Sequence, residues 1–431
     1  MKYEFDQIVD RIHDPYSFSF KWKSPGYILN DLGIEKYRED VICLETADMD
    51  FKAAPQIIDD LKKLCDHGIF GYSSIPDSYY EAVKGWYERR QGWSFNKDDI
   101  FLFSGTHEAV AQCVLHYTKP GEGVIILTPC YGYHSDVEGN GRVYVTVEMI
   151  NDGNEYFTID YEALEKACAE ENNTMIVMCH PHNPTGRVFT HDELCRVAQI
   201  CRRHNVLIVS DEVHSDILRK GQDFEPMMKA CGPKGLIAAT AVNKTFNLAG
   251  LAMTNVIICD PDLKVKTGDM YSMPSPFGIQ AVISAYNKAE PWVDALNAYI
   301  DDNIDVCIDL IHRNLPKARV LRPEGGYSIN IDFSGYGLSD EEVVDKIYGK
   351  AGVILNSGLF FDDLRGKQVH RACLSSPRKL LIEAFERIAR EFEGSLIDKD
   401  LLHVSGGSLL DEAPTVDEHD YDEDVRTKIK P

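Results

Sequence analysis

The sequence predicts an α/β protein: a large domain with a mainly parallel seven-stranded sheet between helices, joined to a smaller α+β domain. Three observations predict it. Short β-rich runs alternate with amphipathic helical patterns through the middle of the chain, as in a parallel sheet with crossover helices. Several of these runs are apolar without alternation, as strands buried on both faces must be. After about residue 290 the pattern changes to one long helix, short strands and a final helix.

Taken in order, residues 1–50 are polar from MKYEFDQIVDR onward, show no signal sequence and are assigned to the smaller domain as a contributing segment. Residues 51–290 are the large domain. Its expected strands are DIFLFSG (99–105), GVIILTP (123–129), RVYVTVEM (142–149), TMIVMCH (174–180), NVLIVSDE (205–212), GLIAATAV (235–242) and TNVIICD (254–260). Thr106 opens the helix THEAVAQCVLHYT, and Thr190 with Glu193 forms a capping box before LCRVAQICRRH. Residues 291–402 are the smaller domain, with the long helix WVDALNAYIDDNIDVCIDLIHRNL, strands around GGYSINIDF, a helix capped by Ser339 and Glu342, and LLIEAFERIAREFEG. Residues 403–431 form an acidic tail. Its core, DEAPTVDEHDYDED (411–424), holds eight acidic side chains in fourteen, a composition expected to be solvated and disordered.

The whole chain has 431 residues, 44% hydrophobic and 26% charged, ample for a large core. Forty-five basic against 69 acidic residues leave −24, which argues against a nucleic-acid or anionic-membrane partner. No apolar stretch is long enough to span a bilayer. Twelve cysteines, mostly in apolar runs and without a C-x-x-C pair, read as reduced buried thiols and place the protein in the cytoplasm. His180 and His182 lack a suitably spaced third ligand, so they read as loop histidines and no metal is expected.

Chemistry is concentrated where strands end. Lys244, in AVNKTFNLAGL, follows the apolar run LIAATAV; an ammonium there is either a snorkelling structural lysine or a reactive amine. Ser104-Gly105-Thr106, Tyr131, Asn183 and Asp211 also sit at strand exits, the edge of a parallel sheet that binds ligands. The segment FLFSGTHEAV offers a helix N-terminus to a phosphate, although Ser-Gly-Thr also serves as a plain N-cap. Tyr131 suits stacking on a planar ring or simple core packing. In MCHPHNPTGRVFT, Pro184 and Gly186 shape a turn that holds Asn183 at the strand exit, or form an ordinary Asx turn. Asp211, buried after NVLIVS, needs a positive partner such as a protonated ring nitrogen, and His214 can reach the same ligand; the alternative is an acidic helix start. Lys244 lies 33 residues beyond Asp211, about one helix plus one strand. An amine with its pKa lowered by burial can form an imine with an aldehyde. A phosphate, a planar ring with a pyridinium nitrogen and an oxygen, and an aldehyde together describe pyridoxal 5'-phosphate. Arg371, in VHRACLSSPR, matches a substrate carboxylate; Arg378 competes, although Pro377 suggests a helix start.

The segments ETADMDF, FGYSS, SGTHEAV, TPCYGYH, HNPTGR, SDEVHSD, NKTFNLAGL and RACLSSPR, in this order, resemble fold type I pyridoxal-phosphate enzymes of the aminotransferase class I/II superfamily. Within it they are most similar to the MalY/PatB cystathionine β-lyase group, over roughly residues 1–395. The resemblance implies that Lys244 carries the cofactor and acts in catalysis, that Asp211 pairs with the pyridinium nitrogen, and that Asn183 and His214 lie near the ring hydroxyl. It implies that Tyr131 stacks on the ring and that Ser104, Gly105 and Thr106 hold the phosphate, with Tyr72 reaching over from a second subunit of a homodimer with shared active sites. Asn243, where the group usually has serine, borders the phosphate. Arg371, with Asp50 and Asn183, faces an amino-acid substrate; two residues on, Cys373 replaces a usual asparagine.

The implied reaction is α,β-elimination from a cysteine-type amino acid, giving a thiol, pyruvate and ammonia. The nearest rival is an aminotransferase using the same residues. A second, from another class, is a non-catalytic regulator that keeps the fold for binding.

Overall fold

The structure, a computed structural model, describes residues 3–23, 25–153, 156–267 and 272–394. The acidic tail expected over 403–431, and residues 395–402 before it, lie outside them.

Seven strands make the main sheet: β1 (Ile100–Phe103), β2 (Gly123–Thr128), β3 (Val143–Glu148), β4 (Asn173–Cys179), β5 (Leu207–Asp211), β6 (Leu236–Ala241) and β7 (Thr254–Ile257). Their spatial order is β1-β7-β6-β5-β4-β2-β3. All neighbours run parallel except β7, which is antiparallel to both β1 and β6. Each strand falls on the run its sequence predicted, with ends that differ by up to three residues. The lack of alternation has a direct cause: Ile125, Leu127, Ile208 and Leu236 enter the core on one face, while Val124, Ile126, Val209 and Ile237 enter the core on the other. Neither face of these central strands meets water, so both sets of alternate positions are apolar.

Helices cover the sheet and bridge to the rest of the chain: α1 (Asp77–Gln91), α2 (Thr106–Tyr117), α3 (His191–Arg203), α4 (Glu290–Asn314) and α5 (Arg378–Glu393). The expected box at α3 is present, with Thr190 accepting from the Glu193 backbone and the Glu193 carboxylate accepting from the Thr190 backbone. The same reciprocal pair joins Ser339 and Glu342. In α1, Trp86 is fully buried; it stacks on Tyr286 with ring centroids 5.1 Å apart and donates its indole N–H to Asp216 at 3.1 Å. Asp216 also accepts from Thr245 at 3.1 Å. The residue after Lys244 is thereby tied to a core helix.

A smaller antiparallel sheet contains β8 (Arg319–Val320), β9 (Ser328–Asp332), β10 (Asn356–Ser357) and β11 (Val369–Cys373), in the order β8-β9-β11-β10. The N-terminal segment meets this region. Ile42–Cys43 pair in parallel with Val353–Ile354, and the Cys373 backbone N–H donates to the Leu44 carbonyl at 2.8 Å. Among the described residues no helix is long and apolar enough to cross a membrane.

A tight turn fixes the segment after β4. Gly186 has φ +70°, and a Cβ there would lie 2.4 Å from the Pro323 side chain. Its carbonyl accepts from the backbones of Glu324 and Gly325, which locks the turn carrying Asn183 against the chain entering β9. Gly186→Ala, strained and overpacked at once, is expected to cost about 3 kcal/mol in denaturant unfolding.

Candidate active site

Parallel strands bring their carboxyl ends to one edge of the sheet. Ser104 follows β1, Asp211 is the last residue of β5 beside Cys179 and Ala239, and Asn183 lies four residues past the end of β4. Lys244 sits three residues past β6 in the short helical turn Val242–Thr245. The strand-exit residues singled out by the sequence therefore share one edge.

Asp211 sets the electrostatics. It is buried, accepts from the Tyr133 hydroxyl at 2.7 Å and from the Val213 backbone at 3.2 Å, and has no ion-pair partner among the described residues. Burial raises its carboxyl above the usual range; the Tyr133 and Val213 hydrogen bonds pull it down. A protonated ring nitrogen would supply the missing charge.

Lys244 donates from Nζ to the Ala47 carbonyl at 3.0 Å. Burial holds its ammonium below the ordinary lysine range; Arg371 adds to that, while Cys373 and Asp211 act in the opposite direction. The same Ala47 carbonyl accepts from the Tyr327 hydroxyl at 3.0 Å. The N-terminal segment thus forms one wall of the crevice. Asn247, close to the lysine, holds that wall through the backbone of Met49 and Phe51.

Arg371 is buried in β11. Its Nη1 donates to Asn183 Oδ1 at 2.9 Å, its Nη2 to the Glu45 carbonyl at 2.6 Å, and its guanidinium carbon lies 4.8 Å from the Phe361 ring centre. The Nε, buried, has no acceptor among the described residues. A donor is left for a carboxylate. Tyr131 is fixed by its backbone N–H to the Asn183 carbonyl at 2.9 Å and lies edge-on to Tyr133 and Phe360. His214 is pushed down to about 3 by burial, then by Lys244 and Arg371, so it is neutral; its buried Nδ1 has no partner among the described residues.

At the opposite end, Ser104 and Ser272 hydroxyls lie 3.0 Å apart and those of Thr106 and Thr254 3.3 Å apart, beside Gly105 and the N-terminus of α2. The buried Asn243 Oδ1 has no donor among the described residues. These polar groups, together with Asp211, which has no ion-pair partner among the described residues, fit pyridoxal phosphate: hydroxyls and a helix N-terminus for its phosphate, a carboxylate for its ring nitrogen and an amine for its aldehyde. Tyr72 is 98% exposed and makes no hydrogen bond to Ser104 or Thr106 within this chain.

Asp50 requires a correction. Expected at the substrate, it is instead enclosed in an ion cluster: Oδ1 accepts from Arg11 at 2.6 Å and Trp22 at 2.8 Å, and Oδ2 accepts from Lys21 at 2.8 Å and Ser376 at 2.5 Å. With four donors satisfied, its carboxylate has no acceptor capacity left for substrate.

Other residues escaped the sequence reading. Tyr133 was hidden in TPCYGYH, although its hydroxyl is the side-chain donor to Asp211 Oδ2. Its spacing of two from Tyr131 across a turn was the available signal. His180 and His182, read as loop residues, are buried and held near 4 by burial, so both are neutral and structural. Glu212 is buried too, bound to Ser210 and the Met227 backbone, and burial pushes it up to about 8.

A profile of the aminotransferase class I and II family matches residues 39–388. The chain belongs to that family. This aminotransferase class I and II member is 34% identical over 349 residues to cystathionine beta-lyase PatB of Bacillus subtilis (strain 168), covering 79% of this chain and 88% of that protein. It is 28% identical over 388 residues to protein MalY of Escherichia coli (strain K12), covering 88% and 96%. Cystalysin from Treponema denticola, whose crystal structure contains a pyridoxal 5'-phosphate cofactor, superimposes with a TM-score of 0.85 at 30% identity, over 91% of this chain and all of that one. The MalY/PatB grouping and fold type I architecture expected from the sequence are thereby established.

Two outcomes are expected from the buried charges. Asp50→Ala leaves Lys21 buried without its carboxylate, and a loss of about 3–5 kcal/mol is expected by denaturant unfolding. For Glu212, the unfolded carboxyl ionises near 4.5 whereas the folded one stays protonated to about 8. The folded state therefore binds the extra proton, and stability falls as pH rises through that window, with a ceiling of about 5 kcal/mol. Urea midpoints at pH 5 and pH 8 should differ less in Glu212→Gln than in the parent.

Proposed function

We propose that this chain, a pyridoxal-phosphate-dependent carbon–sulfur β-lyase, cleaves cysteine-type amino acids such as cystathionine to a thiol, pyruvate and ammonia. The observation that carries the reading is the shared edge holding a half-buried lysine, a buried carboxylate with no ion-pair partner among the described residues and a buried arginine with a spare donor, in a chain whose curated relatives include a cystathionine β-lyase.

When bound, the cofactor supplies an electron sink for the Cα–H bonding pair. The chain supplies the rest. In this reading Lys244 Nζ holds the cofactor and, once released, takes the Cα proton; burial favours its uncharged form, which is the form a base needs. Asp211 keeps the ring nitrogen protonated, and Tyr133 keeps Asp211 ionised and aimed. Arg371 binds the substrate carboxylate, with Asn183 and the Glu45 carbonyl fixing its plane. Neutral His214 and Asn183 flank the ring oxygen, Tyr131 covers the ring, and Ser104, Gly105 and Thr106, bordered by Asn243, hold the phosphate. Loss of the Cα proton and the β-thiolate, followed by addition of water, gives the three products.

The protein is read as a homodimer in which the partner subunit's Tyr72 completes the phosphate site; the full exposure of this ring in a single chain supports that reading. Twelve free thiols support a reducing compartment, the cytoplasm.

Purified protein given cystathionine and no oxo acid should release pyruvate, and Lys244→Ala should lower that rate by at least about 10³-fold. Borohydride should bleach the visible band and leave its label on Lys244. Amino transfer to an oxo acid without pyruvate release would replace this reading with an aminotransferase.

A further inference from the structure

Tyr131 has a neighbour that the proposed chemistry does not use. His107, the second residue of α2, places Nε2 3.0 Å from the Tyr131 hydroxyl and Nδ1 2.6 Å from Asp136 Oδ2. Asp136 is buried, whereas the His107 side chain is 49% exposed. The three groups therefore form a chain from solvent, through an imidazole braced by a buried carboxylate, to a phenol at the crevice. We propose that His107, positioned by Asp136, replenishes the proton that the Tyr131 hydroxyl donates to the sulfur leaving the substrate's β-carbon. This rests on the lyase reading above.

Elimination breaks the Cβ–S bond with both electrons going to sulfur, while the Cα–H pair forms the Cα=Cβ bond. An alkyl thiolate expelled among partly buried side chains is costly, since its charge is poorly solvated there. A phenol proton delivered as the bond breaks turns the leaving group into a neutral thiol. Tyr131 then carries the negative charge, and the His107 imidazolium neutralises it by transferring Nε2–H. Asp136 stabilises the imidazolium, and the exposed ring regains a proton from water. Atoms and charge balance, with water as the only co-reactant.

The surroundings suit each role. Burial raises the Tyr131 phenol, with Arg371 opposing and Asp211, Cys179 and Asp136 reinforcing the rise, so it stays protonated as a donor. His107 is raised by its hydrogen bond to Asp136, by the Asp136 charge and by Asp211, against burial and Lys244. Its cationic form therefore persists to higher pH than in a free histidine. A purely structural His107 would only brace the N-terminal turn of α2 against the turn that carries Asp136. The two roles separate by leaving group: a structural defect slows every substrate, whereas a missing proton slows only those whose leaving group needs one.

The test uses the full-length, cofactor-loaded enzyme with S-ethylcysteine, which expels an alkyl thiolate, and β-chloroalanine, which expels chloride. His107→Gln should lower kcat for S-ethylcysteine by about 10²-fold and leave β-chloroalanine within about threefold. Asp136→Asn should show the same split. In the parent, kcat for S-ethylcysteine should fall as pH rises through the His107 titration, and His107→Gln should lose that limb. Independently of activity, the His107 ring titration followed by NMR should move down in Asp136→Asn. Equal slowing of both substrates, no slowing of either, or a His107 titration indifferent to Asp136 overturns the relay alone. A parent enzyme that releases no pyruvate from either substrate overturns the lyase reading and the relay together.

Discussion

A carboxylate buried at the end of a central strand, without a cation of its own among the described residues, is the constraint around which this molecule is organised. Asp211 occupies the position where β5 leaves the sheet, and the strands on either side of it are buried on both faces. Left alone, such a group would protonate. Tyr133 and the Val213 backbone offset part of that tendency, and the remaining deficit is an affinity for a positively charged ring nitrogen. The neighbouring Glu212 shows the contrasting outcome. One residue further along, with no such ligand to meet, it is pushed into the neutral form.

The second constraint is that the crevice is closed by chain segments remote in sequence. The Ala47 carbonyl caps Lys244, the Glu45 carbonyl orients Arg371, and Asn247 holds the chain just beyond them. What keeps this segment in place is the cluster of Arg11, Lys21 and Trp22 on Asp50, itself tied to Ser376. Each charge in it is buried or half-buried, so removing one partner leaves the others unsatisfied. The conspicuous ADMDF motif is therefore architectural at Asp50 and a wall at Ala47.

Much of this was legible in the sequence because strand order is written in local apolar runs, and residues at strand ends inherit their placement from the sheet. Lys244, Asp211, Asn183 and Ser104 were found this way, and the capping boxes at Thr190 and Ser339 were visible because they are contacts over three residues. Arg371 was singled out from its chemistry alone, because its partner Asn183 lies 188 residues away, too far along the chain for spacing to reveal. Asp50 was misread for a related reason. Its partners Arg11, Lys21 and Ser376 are 39, 29 and 326 residues away, and nothing local distinguishes a carboxylate that neutralises a lysine from one that awaits a ligand. Tyr133 and His107 were quoted inside motifs yet passed over, since their work is done through Asp211 and Tyr131, and contacts made through another side chain leave no periodic trace.

The hydrogen bond from Cys373 to Leu44 joins β11 to the segment that walls the lysine, so two stretches remote in sequence must meet before the crevice is complete. A chain synthesised only as far as β7 lacks β11, and with it the arginine and the strand that secures the Leu44 segment. Such a chain holds Lys244 without the strand that secures its wall. The crevice is therefore complete only once β11 has been made and has joined the segment at Leu44.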